Sequence, residues 1–294
     1  MTTSATLIEE ADPATFIASV ESRGRRVETP CGDGAMVWHV WGEGNTAHAP
    51  LVLGHGAAGS WLHWIRNIDA LARDRMVIVP DLPGHGDSAM PAIEDHAGMC
   101  APLAEGIGRI VGEGRPVDLV AFSFSSVIFT YLAALYPEIA RCLVVIGCGG
   151  IGTEHGETFR RGLAGTSGEE RREAVRFNLT GMMLHHPESA DDLAIHIQFL
   201  DGPRRRLTKI AELIVPDQLV AALPRVSCPV GAIWGEWDRP HPDPAHQENA
   251  IRAVKPDLDF RVVPGAGHWV IYEGADAFNR TLIDMLASLP GKGA

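Results

Sequence analysis

Short apolar runs rich in β-branched residues recur along the chain, and each is closed by turn residues. They occupy residues 50–54, 76–80, 117–122, 143–146, 230–234 and 260–263. Helix-like stretches, such as 99–111 and 126–136, lie between them. Strands that are apolar on both faces are typical of a parallel sheet with helices packed on either side. The pattern therefore predicts an α/β fold with a mostly parallel, doubly wound sheet.

Two regions depart from this alternation. Residues 25–29 and 35–41 alternate in polarity on either side of the turn Gly32-Asp33-Gly34, which predicts an antiparallel hairpin at the sheet edge. Between residues 150 and 223 the chain is helix-like throughout and has no convincing strand. Such an insertion is expected to cover the strand ends as a cap. The basic triplet at 204–206 within it is interpreted as a solvated helix face.

Length and composition suit one domain, with 294 residues, 46% of them apolar and 21% charged. We divide the chain into an N-terminal extension (1–24), a core (25–150 and 224–294) and a helical cap (151–223). The net charge of −12 argues against a nucleic-acid or anionic-membrane surface, because either would need a basic face. Five scattered cysteines without a CxxC pair indicate reduced, mostly buried thiols.

The N-terminus lacks the basic start and apolar stretch of a signal peptide. No apolar run approaches the roughly 20 residues that a membrane helix needs. We therefore expect a cytoplasmic protein that binds a small-molecule substrate and neither nucleic acid nor membrane. The sequence leaves the oligomeric state, a homodimer included, open.

Ser123 is the first candidate for chemistry. It lies in Ala121-Phe122-Ser123-Phe124-Ser125, between a buried strand and a helix, where a sharp turn would present its side chain above the sheet. The turn brings strand and helix close together, so the residues two before and two after the serine must be small. Ala121 and Ser125 meet that requirement. An ordinary strand-to-helix junction that contains serines is the alternative, and this motif alone does not decide between the two.

A second loop, HGAAGS at residues 55–60, follows the strand at 50–54. Small side chains there let the main chain approach a carbonyl oxygen. The N–H of Ala57, or that of Ala58, would form an oxyanion hole together with the N–H of Phe124. A phosphate-binding loop is the obvious rival, but no GK[ST] follows, and the sequence therefore favours the oxyanion hole.

An acyl-transfer triad also needs a base and a carboxylate that orients it. His268 in GAGHW and Asp238 in GEWD both follow predicted strands, and the order Ser123, Asp238, His268 is one that such triads use. Glu236 and Asp243 are rivals for the acid. We prefer Asp238, because Glu236 is expected to be a turn residue facing solvent and Asp243 lies in a proline-rich loop further from the strand.

In their order and spacing, the motifs HGAAGS, DLPGHGDS, AFSFS, GEWD and GAGHW resemble those of the α/β-hydrolase superfamily. The resemblance extends over nearly the whole chain, from about residue 25 to residue 289. It implies the α/β-hydrolase fold with a helical cap inserted between strands 6 and 7. It also implies a serine hydrolase that works through an acyl-enzyme, and we expect neither a cofactor nor a metal.

Within the superfamily, GHW followed by YE and FNR (267–280) and the cap stretch MMLHHPESADDL (182–193) look like the carbon–carbon bond hydrolases of aromatic ring-fission products. Those enzymes usually have Asn before the serine and Met-Gly-Gly after it, and an Arg shortly after the ADDL segment. Here the neighbours are Phe122 and Phe124, and the cap continues AIHI. A small carboxylic ester is therefore the preferred substrate, and a diketo acid is second. A ligand-binding protein without turnover is a third alternative.

Large side chains beside the motifs suggest an apolar or aromatic pocket. They are Trp61, Trp64, Phe122, Trp237 and Trp269. Each could instead pack the core or the cap. The cap also contains potential metal ligands, namely His185, His186, Asp191, Asp192 and His196. We interpret PESADDL instead as a capped helix start with acids in its first turn, and His85 as a residue that structures its loop.

Overall fold

A computed structural model describes residues 12–289, and its centre is one eight-stranded sheet. The strands are β1 (Arg25–Cys31), β2 (Gly34–Thr46), β3 (Leu51–Gly54), β4 (Arg75–Pro80), β5 (Val117–Phe122), β6 (Ala140–Ile146), β7 (Val230–Gly235) and β8 (Asp259–Val263). Their spatial order is β1-β2-β4-β3-β5-β6-β7-β8. Strands β1 and β2, and β2 and β4, pair antiparallel, and all the other pairs are parallel. The predicted mostly parallel sheet with a hairpin edge is confirmed.

Helices lie on both faces of this sheet and in the insertion between β6 and β7. They are α1 (Pro13–Glu21), α2 (Ile68–Leu71), α3 (His96–Val111), α4 (Phe124–Leu135), α5 (Gly168–Asn178), α6 (Asp192–Asp201), α7 (Ile210–Ile214), α8 (Gln218–Ala222), α9 (Pro244–Arg252), α10 (Val270–Glu273) and α11 (Ala275–Ser288). Along β5, Val120 and Phe122 enter an apolar cluster with α11, whereas Leu119 and Ala121 enter another with α3 and α4. Because both faces of the strand are buried, its sequence is continuously apolar.

The helix starts are set by local capping and by the strand before them. Helix α3 begins three residues earlier than predicted, because the Asp95 carboxylate accepts a hydrogen bond of 2.7 Å from the N–H of Gly98. Helix α4 begins at Phe124, and Ser123 is the single residue between this helix and the end of β5. The sharpness of that junction is what positions the candidate nucleophile.

The chain between β6 and β7 contains helices α5 to α8 and several shorter turns. Residues 153–163 have no regular secondary structure, so the prediction of a helix-like segment throughout is wrong for this part. Glycines explain the difference, because Gly150 and Gly152 before this stretch, and Gly165 after it, have positive φ angles, which interrupt helices. We keep the name cap for residues 151–223.

At 204–206 the predicted solvent exposure is confirmed for Arg205 and Arg206, but the predicted helix face is wrong. A short 3₁₀ turn at Gly202–Arg204 ends the helical part, Arg205 is extended, and Arg206 has no regular secondary structure. The Arg206 guanidinium donates hydrogen bonds to the carbonyl oxygens of Gly86 (3.2 Å) and Ser88. Arg206 therefore joins the cap to the loop after β4, and its hydrogen bonds replace those that the carbonyl groups of the loop would otherwise make with water.

Two features bear on the expected environment of the chain. All five cysteines have free thiols and are buried. Among residues 12–289, every helix is too short or too polar to cross a membrane. The predicted lack of a signal peptide concerns residues 1–11, which lie outside the described residues, as do residues 290–294.

Candidate active site

Ser123 occupies a strained turn between β5 and α4. Its backbone angles are φ 54° and ψ −114°, in a region that side chains rarely adopt. Close packing surrounds the turn, since a Cβ added to Gly54 would lie 2.6 Å from the Cβ of Ser125. The Ser125 hydroxyl donates to the Phe122 carbonyl at 3.0 Å. Small residues are therefore required around the serine.

The three triad candidates meet above the carboxyl ends of the strands. The distance from Ser123 Oγ to His268 Nε2 is 3.1 Å, and that from His268 Nδ1 to Asp238 Oδ2 is 2.9 Å. The histidine therefore has the two contacts that an acyl-transfer base needs: Nδ1 faces the carboxylate and Nε2 faces the serine hydroxyl. His268 and Asp238 are buried, and Ser123 is partly exposed to the cavity.

Asp238 is held by main-chain groups. Its Oδ1 accepts the N–H of His241 at 2.9 Å. Gly147 passes so close that an added Cβ would lie 2.8 Å from Asp238 Oδ2. The rival acids are used elsewhere, because Glu236 accepts the N–H of Gly265 at 2.8 Å and Asp243 caps α9. Of the three acids, the structure brings only Asp238 to His268.

The loop at 55–60 lies beside Ser123, and Ala57, Ala58 and Phe124 line the same cavity. Phe124 is the first residue of α4, so its N–H has no acceptor within the helix. His55 holds the loop: its Nδ1 lies 2.8 Å from the Gly56 carbonyl oxygen, and its Nε2 accepts the N–H of Leu82 at 2.9 Å. Burial first, and then neighbouring histidines, lower the pKa of His55 well below its usual range, so the ring is neutral.

His63 supports the loop from the cavity side. Its Nδ1 accepts the N–H of Gly56 at 3.3 Å, and burial lowers the pKa of His63 to about 3. A Cβ at Gly59 would lie 2.3 Å from the ring, which explains the glycine. His85, by contrast, is buried with Nδ1 at 3.2 Å from the Pro83 carbonyl oxygen, within its own loop.

A cavity of about 610 Å³ opens above the triad. Its apolar walls come mainly from two cap segments and from the phenylalanines on either side of Ser123. These residues are Leu163, Val175, Leu179, Met182, Met183, Ile210, Ala211, Ile214, Val215, Phe122 and Phe124. Polar side chains also reach it, including His155, Arg160, Asn178, Gln198, Arg205, Thr208 and His241. The site is thus largely apolar, with a few polar groups that fix orientation.

Of the five aromatic residues predicted to bind substrate, only Phe122 lines this cavity. Trp61 and Trp64 are one turn apart in the 3₁₀ helix Trp61–Trp64, so both face the core while His63 faces the cavity. The indole of Trp64 donates to the Gly54 carbonyl at 3.0 Å, and Trp61 packs on His39 and Trp41. These two predictions are wrong.

The other two tryptophans also lie away from the cavity wall. Trp269 is fully buried, donates to the His63 carbonyl at 3.3 Å and stacks on Tyr272. Trp237 is 52% exposed and stacks on His185. Their positions next to His268 and Asp238 in sequence were misleading, because successive residues after a strand end point in different directions.

The cap residues considered as metal ligands have other partners. Asp191 caps α6 by accepting the N–H of Ala194 at 2.8 Å, and it also accepts the Tyr272 hydroxyl at 2.6 Å and the Arg66 guanidinium. Asp192 follows in the first turn, so the predicted capped helix start is confirmed. Within residues 12–289, three or more potential ligands do not converge anywhere in a way that could hold a metal.

Sequence reasoning missed the polar residues of the cavity. Arg160 and Arg205 line it and belong to irregular cap segments, and neither forms an ion pair with a carboxylate in the described part of the chain. His155 and His241 line it as well. No periodicity in the sequence pointed to them, because Arg160, Arg205 and His155 lie in cap segments without regular structure and His241 lies in the loop after β7.

Comparisons with known proteins identify related sequences and folds. The model of the Alpha/beta hydrolase family matches residues 51–281. A 2-hydroxy-6-oxononadienedioate/2-hydroxy-6-oxononatrienedioate hydrolase of Pseudomonas sp. is 28% identical over 256 residues, which are 81% of this chain and 87% of that protein. The described fold, with its eight-stranded sheet, is typical of such proteins.

Solved structures are similar over most of the chain. An esterase of Rhodococcus sp. ECU1013 has a TM-score of 0.72 and 22% identity, over 90% of this chain and 99% of that one. A variant of the meta-cleavage product hydrolase CumD has a TM-score of 0.67 and 20% identity, over 89% and 97%. At these identities the likeness shows the fold alone.

Proposed function

Because the chain belongs to the alpha/beta hydrolase family, we propose that it is a serine hydrolase that cleaves small carboxylic esters. The observation that carries the proposal is the alignment of Ser123, His268 and Asp238 at 3.1 Å and 2.9 Å beneath a mostly apolar cavity. Five buried free thiols fit a reducing compartment, and we propose that the enzyme acts in the cytoplasm.

The mechanism follows from the positions of these groups. Ser123 Oγ attacks the ester carbonyl carbon while His268 Nε2 takes its proton, and Asp238 stabilises the imidazolium and fixes the tautomer. The N–H groups of Ala57 and Phe124 hold the oxyanion. The C–O bond then breaks, and His268 donates its proton to the leaving alkoxide. His268 then takes a proton from water as the water attacks the acyl carbon, the bond to Ser123 Oγ breaks, and His268 returns the proton to Oγ as the acid leaves.

The volume and apolar lining of the cavity favour a small substrate with an apolar body. Phe122 and Phe124 flank the serine, and aliphatic side chains of the cap face them. A volume of about 610 Å³ is within the range of small-molecule sites. Burial of an alkyl or aryl group there contributes about 25 cal/mol per Å² to binding.

A second candidate is hydrolysis of a carbon–carbon bond in a diketo acid, and two arginines support it. The Pseudomonas relative is named for such a reaction on a dienedioate. Arg160 and Arg205 stand at the exposed mouth of the cavity without carboxylate partners in the described residues, so they are available to bind an acidic substrate. They come from other parts of the cap than the AIHI stretch, where the carbon–carbon hydrolases have their arginine.

The test is labelling by a fluorophosphonate probe together with ester turnover. We expect one adduct, on the peptide that contains Ser123, and loss of at least about 10⁴-fold in kcat for Ser123→Ala. Ser227→Ala, at an exposed position before β7, is the matched control and should behave as wild type. An unlabelled Ser123, or an Ala variant with full ester hydrolysis, would disprove the proposal.

A substrate panel separates the two candidate reactions. Aryl and alkyl esters are compared with ring-fission dienoates, in wild type and in Arg160→Gln and Arg205→Gln. If the enzyme is an esterase, neutral esters are turned over and the arginine variants change their KM little. Activity confined to the dienoates, with KM raised about tenfold or more in either arginine variant, would establish the carbon–carbon reaction instead.

A further inference from the structure

His241 has a fixed main chain and a side chain that no part of the proposed mechanism uses. Its N–H donates to Asp238 Oδ1 at 2.9 Å, and its carbonyl oxygen accepts the Trp234 indole N–H at 3.2 Å. These two bonds tie the residue to the same strand end that carries Asp238. The backbone therefore has little freedom to move the ring.

The imidazole of His241 lines the cavity, and it makes no hydrogen bond with any side chain or backbone group of residues 12–289. It is 9% exposed, and its ring centroid lies 5.6 Å from that of His268. Its ring nitrogens are not among the fully enclosed, unpaired atoms of residues 12–289, so they are accessible from the cavity and available to a ligand. A ligand in the cavity is the partner that the position offers.

The protonation state of His241 defines what it can bind. Burial lowers the pKa of His241 to about 4, the attraction of Asp238 opposes this, and nearby His268 and His155 add to the lowering. The ring is therefore neutral at physiological pH, and it offers one N–H donor and one nitrogen acceptor. Such a group binds hydroxyl, ether or carbonyl oxygen rather than a free anion.

The His241 ring lies between two other imidazoles, on a polar side of the cavity. The exposed His155 ring meets it edge-on at 5.4 Å, further from the triad. On another side Gly149 leaves room, since a Cβ there would lie 3.3 Å from His241 Cε1. The imidazoles of His268, His241 and His155 thus follow one another from the serine outward.

We propose that His241 is a specificity-determining residue that hydrogen-bonds an oxygen in the leaving group of the substrate, close to the scissile bond. The assignment to the leaving group rests on His268, which must reach the leaving oxygen to protonate it and so directs that part of the substrate towards the adjacent ring. The inference rests on the proposed esterase function. Its ligand class is an ester whose alcohol carries an ether, hydroxyl or carbonyl oxygen.

A pair of isosteric esters isolates this contact. The butyl and 2-methoxyethyl esters of one acid have chains of equal length and differ by an oxygen in place of a methylene. The ratio of their kcat/KM values, divided by the same ratio for hydroxide-catalysed hydrolysis, measures recognition of that oxygen. We expect wild type to favour the 2-methoxyethyl ester by about 3- to 10-fold, the effect of one neutral hydrogen bond.

Two variants test whether His241 is responsible. His241→Leu should bring the corrected ratio to about 1, mostly by loss of 2-methoxyethyl ester hydrolysis, whereas His241→Gln, which still donates and accepts, should retain part of the preference. Wild type should show the same ratio from pH 6 to pH 9, because the ring is neutral over that range. A circular dichroism spectrum and thermal midpoint check that each variant is folded. If the Leu variant does not fold, the Gln variant and the wild-type ratio remain decisive.

Three outcomes would overturn the inference in different ways. A wild-type ratio near 1, or a ratio unchanged in both variants, shows that His241 does not contact the leaving group. A preference that depends on His241 in the acyl pair, pentanoate against 3-methoxypropanoate, but not in the alcohol pair, refutes the assignment to the leaving group. Failure to hydrolyse any of these esters, together with an unlabelled Ser123, removes the proposed function and the inference with it.

Discussion

Asp201 is a carboxyl group whose burial should make the stability of the fold depend on pH. It ends α6 in the cap, is 1% exposed, and neither of its oxygens has a hydrogen-bond partner in the described part of the chain. Burial raises the pKa of Asp201 to about 8. The hydroxyl and N–H of Ser60, in the loop at 55–60, lie near the carboxyl group and lower its pKa, whereas the buried Asp81 raises it.

The sign and size of the effect follow from linkage. The unfolded chain releases the proton of Asp201 near pH 4, whereas the folded protein keeps it up to about pH 8. Between those values the folded state binds more protons, so the free energy of unfolding falls as pH rises, by up to about 1.4 kcal/mol per pH unit. From pH 5 to pH 7 the loss is about 2–3 kcal/mol.

Asp201→Asn removes this dependence, because the amide has the shape of the protonated acid and does not ionise. We expect the free energy of unfolding of the Asn variant to exceed that of wild type by an amount that grows by about 2 kcal/mol between pH 5 and pH 7. Urea unfolding followed by tryptophan fluorescence at pH 5, 6 and 7 measures it. Asp257→Asn, on the exposed turn before β8, is the matched control and should not change the slope.

Parallel pH dependence of wild type and Asp201→Asn would refute the reasoning. It would mean that Asp201 is ionised in the folded protein at neutral pH. Arg204, whose charge favours the ionised form, would then be its counter-ion. An Asn variant that is less stable than wild type by a constant amount at all three pH values would likewise show that the carboxyl group is not a buried acid that resists ionisation.

Two further predictions concern the triad and the sheet. Gly147→Ala should lower kcat by about tenfold or more, because the φ angle of Gly147 is +49° and the new Cβ would lie 2.8 Å from Asp238 Oδ2. Gly108→Ala, in α3 with open space around it, is the control. It should leave activity unchanged and raise the free energy of unfolding in urea by about 1 kcal/mol. Asp118→Ala should lower the free energy of unfolding by about 3–5 kcal/mol, because Asp118 is buried with Arg75 at 2.9 Å and a second arginine, while probe labelling in the folded variant persists.

All eight strands were predictable from the sequence, although β2 (Gly34–Thr46) and β6 (Ala140–Ile146) are longer than the predicted 35–41 and 143–146. Strands β5 and β7 were expected at 117–122 and 230–234, and they occupy Val117–Phe122 and Val230–Gly235. Burial on both faces demands a continuous apolar run, and turn residues end it, so the signal is local. The triad candidates were identified for a related reason: parallel strands end on the same edge of the sheet, so residues after them lie near one another whatever their separation along the chain.

The cavity walls could not be predicted in the same way. Arg160 and Arg205 come from cap segments that lack regular structure, and no periodicity tells which way their side chains point. The predictions for the tryptophans were wrong for a different reason. Trp61 and Trp269 are adjacent to functional residues in sequence, but their size and apolarity place them in the core, where burying an aromatic side chain stabilises the fold most.

Helix α6 contacts the core at both of its ends and also lines the cavity. At its start, Asp191 accepts the Tyr272 hydroxyl at 2.6 Å, which joins the cap to α10 of the core. At its end, Asp201 lies near Ser60, in the loop whose Ala57 lines the cavity beside Ser123. Gln198, on the same helix, lines the cavity. Because α6 contacts the core at both ends, a substrate that displaces it also strains the loop that holds the oxyanion. We therefore expect variants that shift α6 to lower kcat as well as raise KM, since a misplaced oxyanion donor weakens transition-state stabilisation directly.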